Sequence, residues 1–397
     1  MDLNDFTDKS PGRLEPTTFT ETVAEDGVLV ATQVEGRGFV PNPLPPDVEP
    51  ASFLFDLYPL ILAADRNLSL LEGTARRLPN PHLLTGVFAR REAILSSAIE
   101  DTFASAEDLA LLELSPTEVE DRDAAREVAN YVRALEHALS SELPICLRLI
   151  RDLHAILLEG VRRPGVLPGE FRKSQNAIGR GHRFSQAKFV PPPPSFVTPC
   201  LRELEAYLNR EDKLFPRLVR FAFVHYQFEA IHPFTDGNGR VGRLLITLML
   251  CRQAQLSSPL VYVSAFLEQN RNRYSNLLYR VSTQGAWQEW TAFFLEAVAS
   301  QAEDAVRRAD RLLDLQAEWH ELVHEKRASP FLPGLVDRLF HSPFLNAAAV
   351  VDELRVTPKT AGALIRRLVD KGILAQTTKR SRGRVYAARK IIELIRD

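Results

Sequence analysis

Cysteine is scarce in this chain of 397 residues: Cys146, Cys200 and Cys251 lie far apart, with no pairing pattern and no Cys-x-x-Cys. That excludes a disulfide framework and a cysteine-built zinc site, and it fits a reducing compartment. A long apolar run is missing too. The longest, residues 244–251, falls far short of the ~20 residues that a membrane span needs, so no membrane partner is expected. Residues 1–6 are acidic and offer no apolar signal segment, so the expected location is cytoplasmic. Net charge is also nearly absent, at -2 from 49 basic and 51 acidic residues. A protein that coats nucleic acid along its whole length is thereby ruled out, while a local basic patch is not. No repeat with a solenoid period is present. What is present is an average globular composition, 45% hydrophobic and 25% charged. A chain of this length and make-up folds into two or three domains and is not disordered.

The pattern along the chain is mainly α. Residues 1–52 hold many turn formers and a proline-rich stretch at 39–46, and are expected to form an extended arm. Apolar residues then recur at three- and four-residue spacing up to about residue 300. Helices are expected over 63–77, from Asn80 through Ala98, from Pro116 through Leu135, from Pro144 through Ile156, over 214–230 and over 242–254. A break at 164–194 interrupts them with a glycine-rich piece, a short hairpin and the stiff run Pro191–Pro194. Trp287, Trp290, Phe293 and Phe294 read as core. The expected organisation is a helical region over 53–115, a core over 116–300, a helical connector over 301–335 and a separate unit over 336–397. In that last unit Thr357 is an expected N-cap with Pro358 at the first helical position, Gly372 stops the helix, and two short apolar runs flank a charged turn. Helix, turn, helix and hairpin form a winged helix-turn-helix pattern.

The stretch richest in chemistry is residues 228–243. A helix ends near Ile231, another begins near Gly239, and between them sit His232, Asp236, Gly237 and Asn238. Gly237 and Gly239 admit positive φ and a close approach of the backbone to a ligand. The following helix points its unpaired N–H groups and its positive dipole end into the loop, which makes an anion site suited to phosphate. Arg240 and Arg243 oppose that dipole unless an anion is bound. Asp236 is a hard oxygen ligand for Mg²⁺ beside phosphates, and His232 is a general base near neutral pH. Together they point to metal-assisted transfer from a nucleoside triphosphate.

The run His232-Pro233-Phe234-x-Asp236-Gly237-Asn238-Gly239-Arg240-x-x-Arg243 resembles the signature of Fic-domain proteins at every fixed position. Residues 168–172, 189–194 and 225–229 resemble the neighbours of that signature, so the likeness covers about residues 40–300. The resemblance implies a helical Fic core with a small β-hairpin flap, and a protein adenylyltransferase that moves AMP from ATP to a Ser, Thr or Tyr hydroxyl. It makes His232 the base, Asp236 the Mg²⁺ ligand, and Gly237, Asn238, Gly239, Arg240, Gly242 and Arg243 the nucleotide-binding residues. Tyr274 falls where the family closes the adenine pocket. Ser96 and Glu100, on a helix at about 91–101, fit the family's inhibitory motif, in which the glutamate takes the arginine meant for the γ-phosphate. Asp101 departs from it, standing where Gly or Asn is usual. Residues 178–190 fit the target-binding flap, with Gly181, His182, Phe184 and Phe189 the expected contacts. The implied partners are ATP, an unidentified target protein, the chain itself as a substrate, and a second copy in a homodimer.

Charge is segregated at the C-terminal end. Residues 351–397 hold twelve basic and five acidic residues, a net +7 that leaves -9 on the rest. Lys359, Thr360 and Arg366 on the second helix, with Lys379, Arg380, Arg382 and Arg384 on the wing, would form a DNA footprint. Protein docking fits the same unit. Two further readings stay open: a DNA-binding regulator that uses the core as a nucleotide sensor, and removal of AMP, or transfer of another group, by the same loop.

Overall fold

The computed structural model describes residues 1–397 except 26–27, 78–81, 115–121, 162–164, 180–185, 255, 325–328, 378–383 and 397. For 22–25, 28–31, 77 and 82–83 it describes the backbone alone. The chain is mainly helical, as the periodicity predicts. The elements in chain order are β1 (Gly12–Glu25), β2 (Val28–Pro41), α1 (Pro50–Arg77), α2 (His82–Ile99), α3 (Ala106–Leu114), α4 (Arg122–Ser140), α5 (Leu147–Leu157), α6 (Pro194–Asn209), α7 (Arg217–Ile231), α8 (Asn238–Arg252), α9 (Ser264–Gln269), α10 (Arg271–Gln284), α11 (Trp287–Val323), α12 (Leu332–His341), β3 (Phe344–Asn346), α13 (Ala347–Leu354), α14 (Pro358–Asp370), β4 (Ala375–Gln376), β5 (Val385–Ala387) and α15 (Arg389–Arg396). The chain divides into two compact units, one of residues 1–65, 133–255 and 266–299, the other of 66–132, 256–265 and 300–397.

In the first unit the N-terminal arm is extended, as its composition implies, but it is also paired. β1 and β2 form an antiparallel hairpin from Gly12↔Pro41 to Glu25↔Val28. Phe39 anchors it, fully buried against Phe189 and donating its N–H to Val190 O at 2.9 Å. α7 and α8 bury almost every side chain they carry, which marks them as central helices and not as amphipathic covers. Trp290 reaches into α7, its indole N–H donating to Ala222 O at 2.8 Å, and Phe223 meets Trp287 edge-on at 5.3 Å. The tryptophans and Phe293 and Phe294 are core, as expected.

Several helix boundaries differ from the sequence expectation, three of them in ways that matter here. α1 begins at Pro50 and carries Pro59 inside it. Proline at the first position costs nothing, because that N–H has no helical partner anyway, and Pro59 removes one bond without ending the helix. α8 begins at Asn238 instead of residue 242. α11 is continuous from Trp287 to Val323, through the point where a connector was expected to start.

In the second unit α2 is held by a buried carboxylate. Glu92, 1% exposed, accepts from the Tyr131 hydroxyl at 3.1 Å and from the Ser264 hydroxyl. Towards the C-terminal end β3, β5 and β4 form a three-stranded antiparallel sheet in that order. Thr357 caps α14 as expected, accepting from Thr360 N–H at 3.2 Å. α14 buries Ala361, Leu364, Ile365 and Leu368 and exposes Lys359, Arg366 and Arg367. Lys379, Arg380 and Arg382 lie outside the described residues.

Candidate active site

The loop between α7 and α8 is built from two residues in left-handed conformation. His232 ends α7 with φ 49° and ψ 62°, and Gly237 caps α8 with φ 77° and ψ 6°. Glycine suits that state. Histidine does not, and Pro233 after it disfavours the helical regions further. His232 is therefore a strained residue, and the surroundings hold it. Asn238 staples the turn from inside: its Oδ1 accepts from Phe234 N–H and its Nδ2 donates to Phe234 O, both at 2.8 Å. Arg172 holds it from outside, Nε donating to His232 O at 2.9 Å and its own backbone N–H to Pro233 O at 2.9 Å. Asn176 adds a bond from Nδ2 to Phe234 O at 3.0 Å.

His154 supports the loop's other half. It lies on the buried face of α5, with its ring stacked on Phe234 at 3.7 Å and 8°. Gly169 N–H donates to its Nδ1 at 2.8 Å, so Nδ1 carries no proton and the opposite nitrogen, Nε2, donates to Asp236 O at 3.0 Å. Burial pushes its pKa down to about 4, against smaller upward pulls from the Asp236 carbonyl and carboxylate. A neutral ring of fixed tautomer follows from both observations.

The charged groups converge on the start of α8. Arg240 and Arg243 are each 1% exposed. The Asp236 carboxylate accepts from Gly237 N–H at 2.7 Å and lies 3.9 Å from the Arg240 guanidinium. Gly242 lets α7 and α8 close on each other, since a Cβ there would stand 3.2 Å from the Phe228 ring and 2.2 Å from the Glu229 carboxylate. On α7, His225 shares a 2.8 Å hydrogen bond with the Tyr274 hydroxyl; burial first, and Arg243 second, push its pKa down to about 3. Tyr274 is 5% exposed and packs on His225, Trp290 and Phe293. The structure thus places this expected adenine contact in an aromatic core cluster.

The other expected site residues are seen in part. Phe189 is buried beside Phe39, and its main chain pairs with Ile178 at 2.8 and 3.0 Å as an isolated antiparallel bridge. Gly181, His182 and Phe184 lie outside the described residues. In the second unit Ser96 is buried and Glu100 exposed, one residue beyond α2. Asp101 has φ 58°, its N–H donates to Ala98 O at 3.1 Å, and Thr102 N–H donates to Ser97 O at 3.1 Å. This is a Schellman closure, and it explains why Gly or Asn suits position 101. The sequence reading missed His154 and Arg172 as site residues. A histidine among the apolar positions of α5 was the available signal for the first; the second stood in the quoted run 168–172 without a role.

Fold and loop together define a helical protein with a braced turn between two central helices. The Fic/DOC family model matches residues 144–250, and the Fic/DOC family N-terminal model matches 58–140. The chain is a Fic-domain protein. The protein adenylyltransferase Fic of Drosophila virilis is 28% identical over 233 residues, which cover 57% of this chain and 44% of that protein. Its counterpart in Culex quinquefasciatus is 32% identical over 153 residues, 38% of this chain and 27% of that protein. The chain thus spans less than half the length of these curated relatives. A solved Fic family protein from Desulfovibrio desulfuricans G20 shares the fold, with a TM-score of 0.53 at 20% identity over 83% of this chain and 96% of that one.

Proposed function

We propose that the chain transfers AMP from ATP to a Ser, Thr or Tyr hydroxyl of a protein. The observation that carries this reading is the braced turn: a strained His232, a stapled Asn238 and two buried arginines at the start of α8. The names of the curated relatives support it. The N–H groups of Asn238 and Gly239 open α8 and have no helical carbonyl four residues back, which suits them to phosphate oxygens. Arg240 and Arg243 would take the β- and γ-phosphates, and the amides at Asn238 and Gly239 the α- and β-phosphates; the Gly237 amide, also expected there, is given to the Asp236 carboxylate. His232 accepts the proton of the incoming hydroxyl as its oxygen bonds to the α-phosphorus and the bond to diphosphate breaks.

Among the described residues no cluster of three or more metal-ligating side chains occurs. A single carboxylate beside a phosphate site is nonetheless the set with which Mg²⁺ is commonly held, since phosphates and water complete its shell. Asp236, with a side chain 27% exposed, would hold it. Mg²⁺ there would neutralise charge on the phosphates.

Glu100 is the proposed brake on this reaction. Its carboxylate is exposed one residue past α2, beside the closure at Asp101. Paired with Arg243 it would displace the γ-phosphate and misalign the α-phosphate. The test is self-labelling by ATP labelled at the α-phosphate, in wild type, Glu100→Gly and Glu100→Gly/His232→Ala. Label gained by the single variant and absent from the double variant is the expected result. No label in any variant that binds ATP defeats AMP transfer.

A second reading concerns the C-terminal elements. Lys359, Arg366 and Arg367 share the exposed side of a capped helix. We read the unit as a winged helix that binds DNA. The expected result is duplex binding that weakens steeply with salt; a salt-insensitive interaction, or none, removes this reading.

A further inference from the structure

Arg172 is a buried cation that the transfer chemistry does not use. Its side chain is 5% exposed, and every bond it donates goes to a main-chain oxygen. Nε reaches His232 O at 2.9 Å. Nη2 reaches Pro192 O at 2.6 Å and Ile231 O at 3.4 Å, and Nη1 reaches Ser174 O at 3.3 Å. Two of these oxygens are the last carbonyls of α7, which have no helical donor and sit at the negative end of the dipole. Buried, each would cost free energy unless paired.

The fork does more than satisfy carbonyls. Holding His232 O fixes the peptide plane that follows His232, and so its ψ of 62°. That is the torsion which Pro233 opposes. The same guanidinium holds Pro192, three residues after Phe189, whose main chain bridges to Ile178. Gln175 braces the same run, Nε2 donating to Pro191 O at 3.0 Å. One planar group thus joins the residue that would take the proton to the segment beside which the target would lie. Lysine carries the charge but not the fork, and cannot meet oxygens on three segments at fixed angles.

We propose that Arg172 is a positioning residue of the transfer reaction: it keeps His232 in its left-handed conformation and in register with the segment behind Phe189. This rests on the AMP-transfer reading, and the test separates the two. Arg172→Lys and Arg172→Gln are made in the full chain carrying Glu100→Gly. Two quantities are measured for each: incorporation of α-phosphate label against ATP concentration, and the imidazole C–H resonance of His232, assigned through His232→Gln.

The expected result is a fall of about 100-fold in the saturating rate, the scale of a small misplacement of a reacting group. The ATP concentration at half rate stays within about threefold, because Arg240 and Arg243 are untouched. The His232 resonance moves or splits in Arg172→Lys. A mere structural cap would lower the melting temperature and leave the rate per folded molecule unchanged. That outcome, or a loss confined to ATP affinity, overturns the proposal. If the Glu100→Gly parent itself transfers no label, the AMP-transfer reading fails. The resonance still decides Arg172, and an unmoved His232 signal in the lysine variant overturns it.

Discussion

Two of the helix ends that contain the same uncommon backbone state close it differently. α7 ends on His232 at φ 49°, and α2 is followed by Asp101 at φ 58°. At α2 the closing bonds are main-chain to main-chain, from Asp101 to Ala98 and from Thr102 to Ser97. At α7 side chains from elsewhere enter: Arg172 on the carbonyl of His232, Asn238 across Phe234, and His154 under Asp236. A Schellman closure is a local device that can form and open with its own helix end. A closure made by groups from three other segments opens only when the surrounding fold does. On the proposed roles, the first would suit a brake that has to be released, the second a base that has to stay in place.

The largest effect expected to break this contrast comes from His154→Ala. Gly169 N–H and Asp236 O lose their partner and the stack on Phe234 disappears, for a loss of about 3–5 kcal/mol. Urea unfolding checks it, and His154→Gln, which can still reach Asp236 O, should cost less. Acid comes next. His225 is pushed down to about 3 when folded, against ~6.5 unfolded, so its contribution is complete above about pH 6.5. It is lost as pH falls from there towards 3, by about 1.4 kcal/mol per unit. Melting curves of His225→Gln between pH 6.5 and 4 should show a shallower slope than wild type, and equal slopes would refute the assignment.

Smaller effects sharpen the comparison. Asp101→Gly should stabilise by about 1 kcal/mol or less, since it relieves the left-handed strain and removes a negative charge from a helix C-terminus. A destabilised variant in thermal melts would count against the Schellman reading. His232→Gly relieves the same strain but loses the ring's packing, so its net gain should be below ~1 kcal/mol. Its label incorporation should be abolished, and a variant that still labels would remove His232 from the role of base.

The loop was legible in the sequence because its chemistry requires particular side chains at fixed spacing, and those stand together in twelve consecutive residues. The mainly helical fold was legible from apolar periodicity, and Thr357 from its hydroxyl one residue ahead of a proline. The pairing of β1 with β2 was not read. Proline content drew attention to extension, although Asp26-Gly27 between the two runs is itself a hairpin signal. Pro59 hid the start of α1, because proline reads as a stop while a long helix tolerates one missing bond. His154 and Arg172 were hidden for a deeper reason. Their partners are backbone atoms far away in sequence, and no local pattern records a bond to a distant carbonyl.

Arg172 has a consequence for how such a protein can change over generations. The oxygens it holds, on residues 174, 192, 231 and 232, are supplied by any amino acid. Its partners at 174, 192 and 231 offer it only main-chain oxygens, so their side chains can change without loss of these bonds, while its own cannot. A search for correlated positions among homologues would then find this arginine silent, and a tie between the loop and its surroundings would leave no statistical trace.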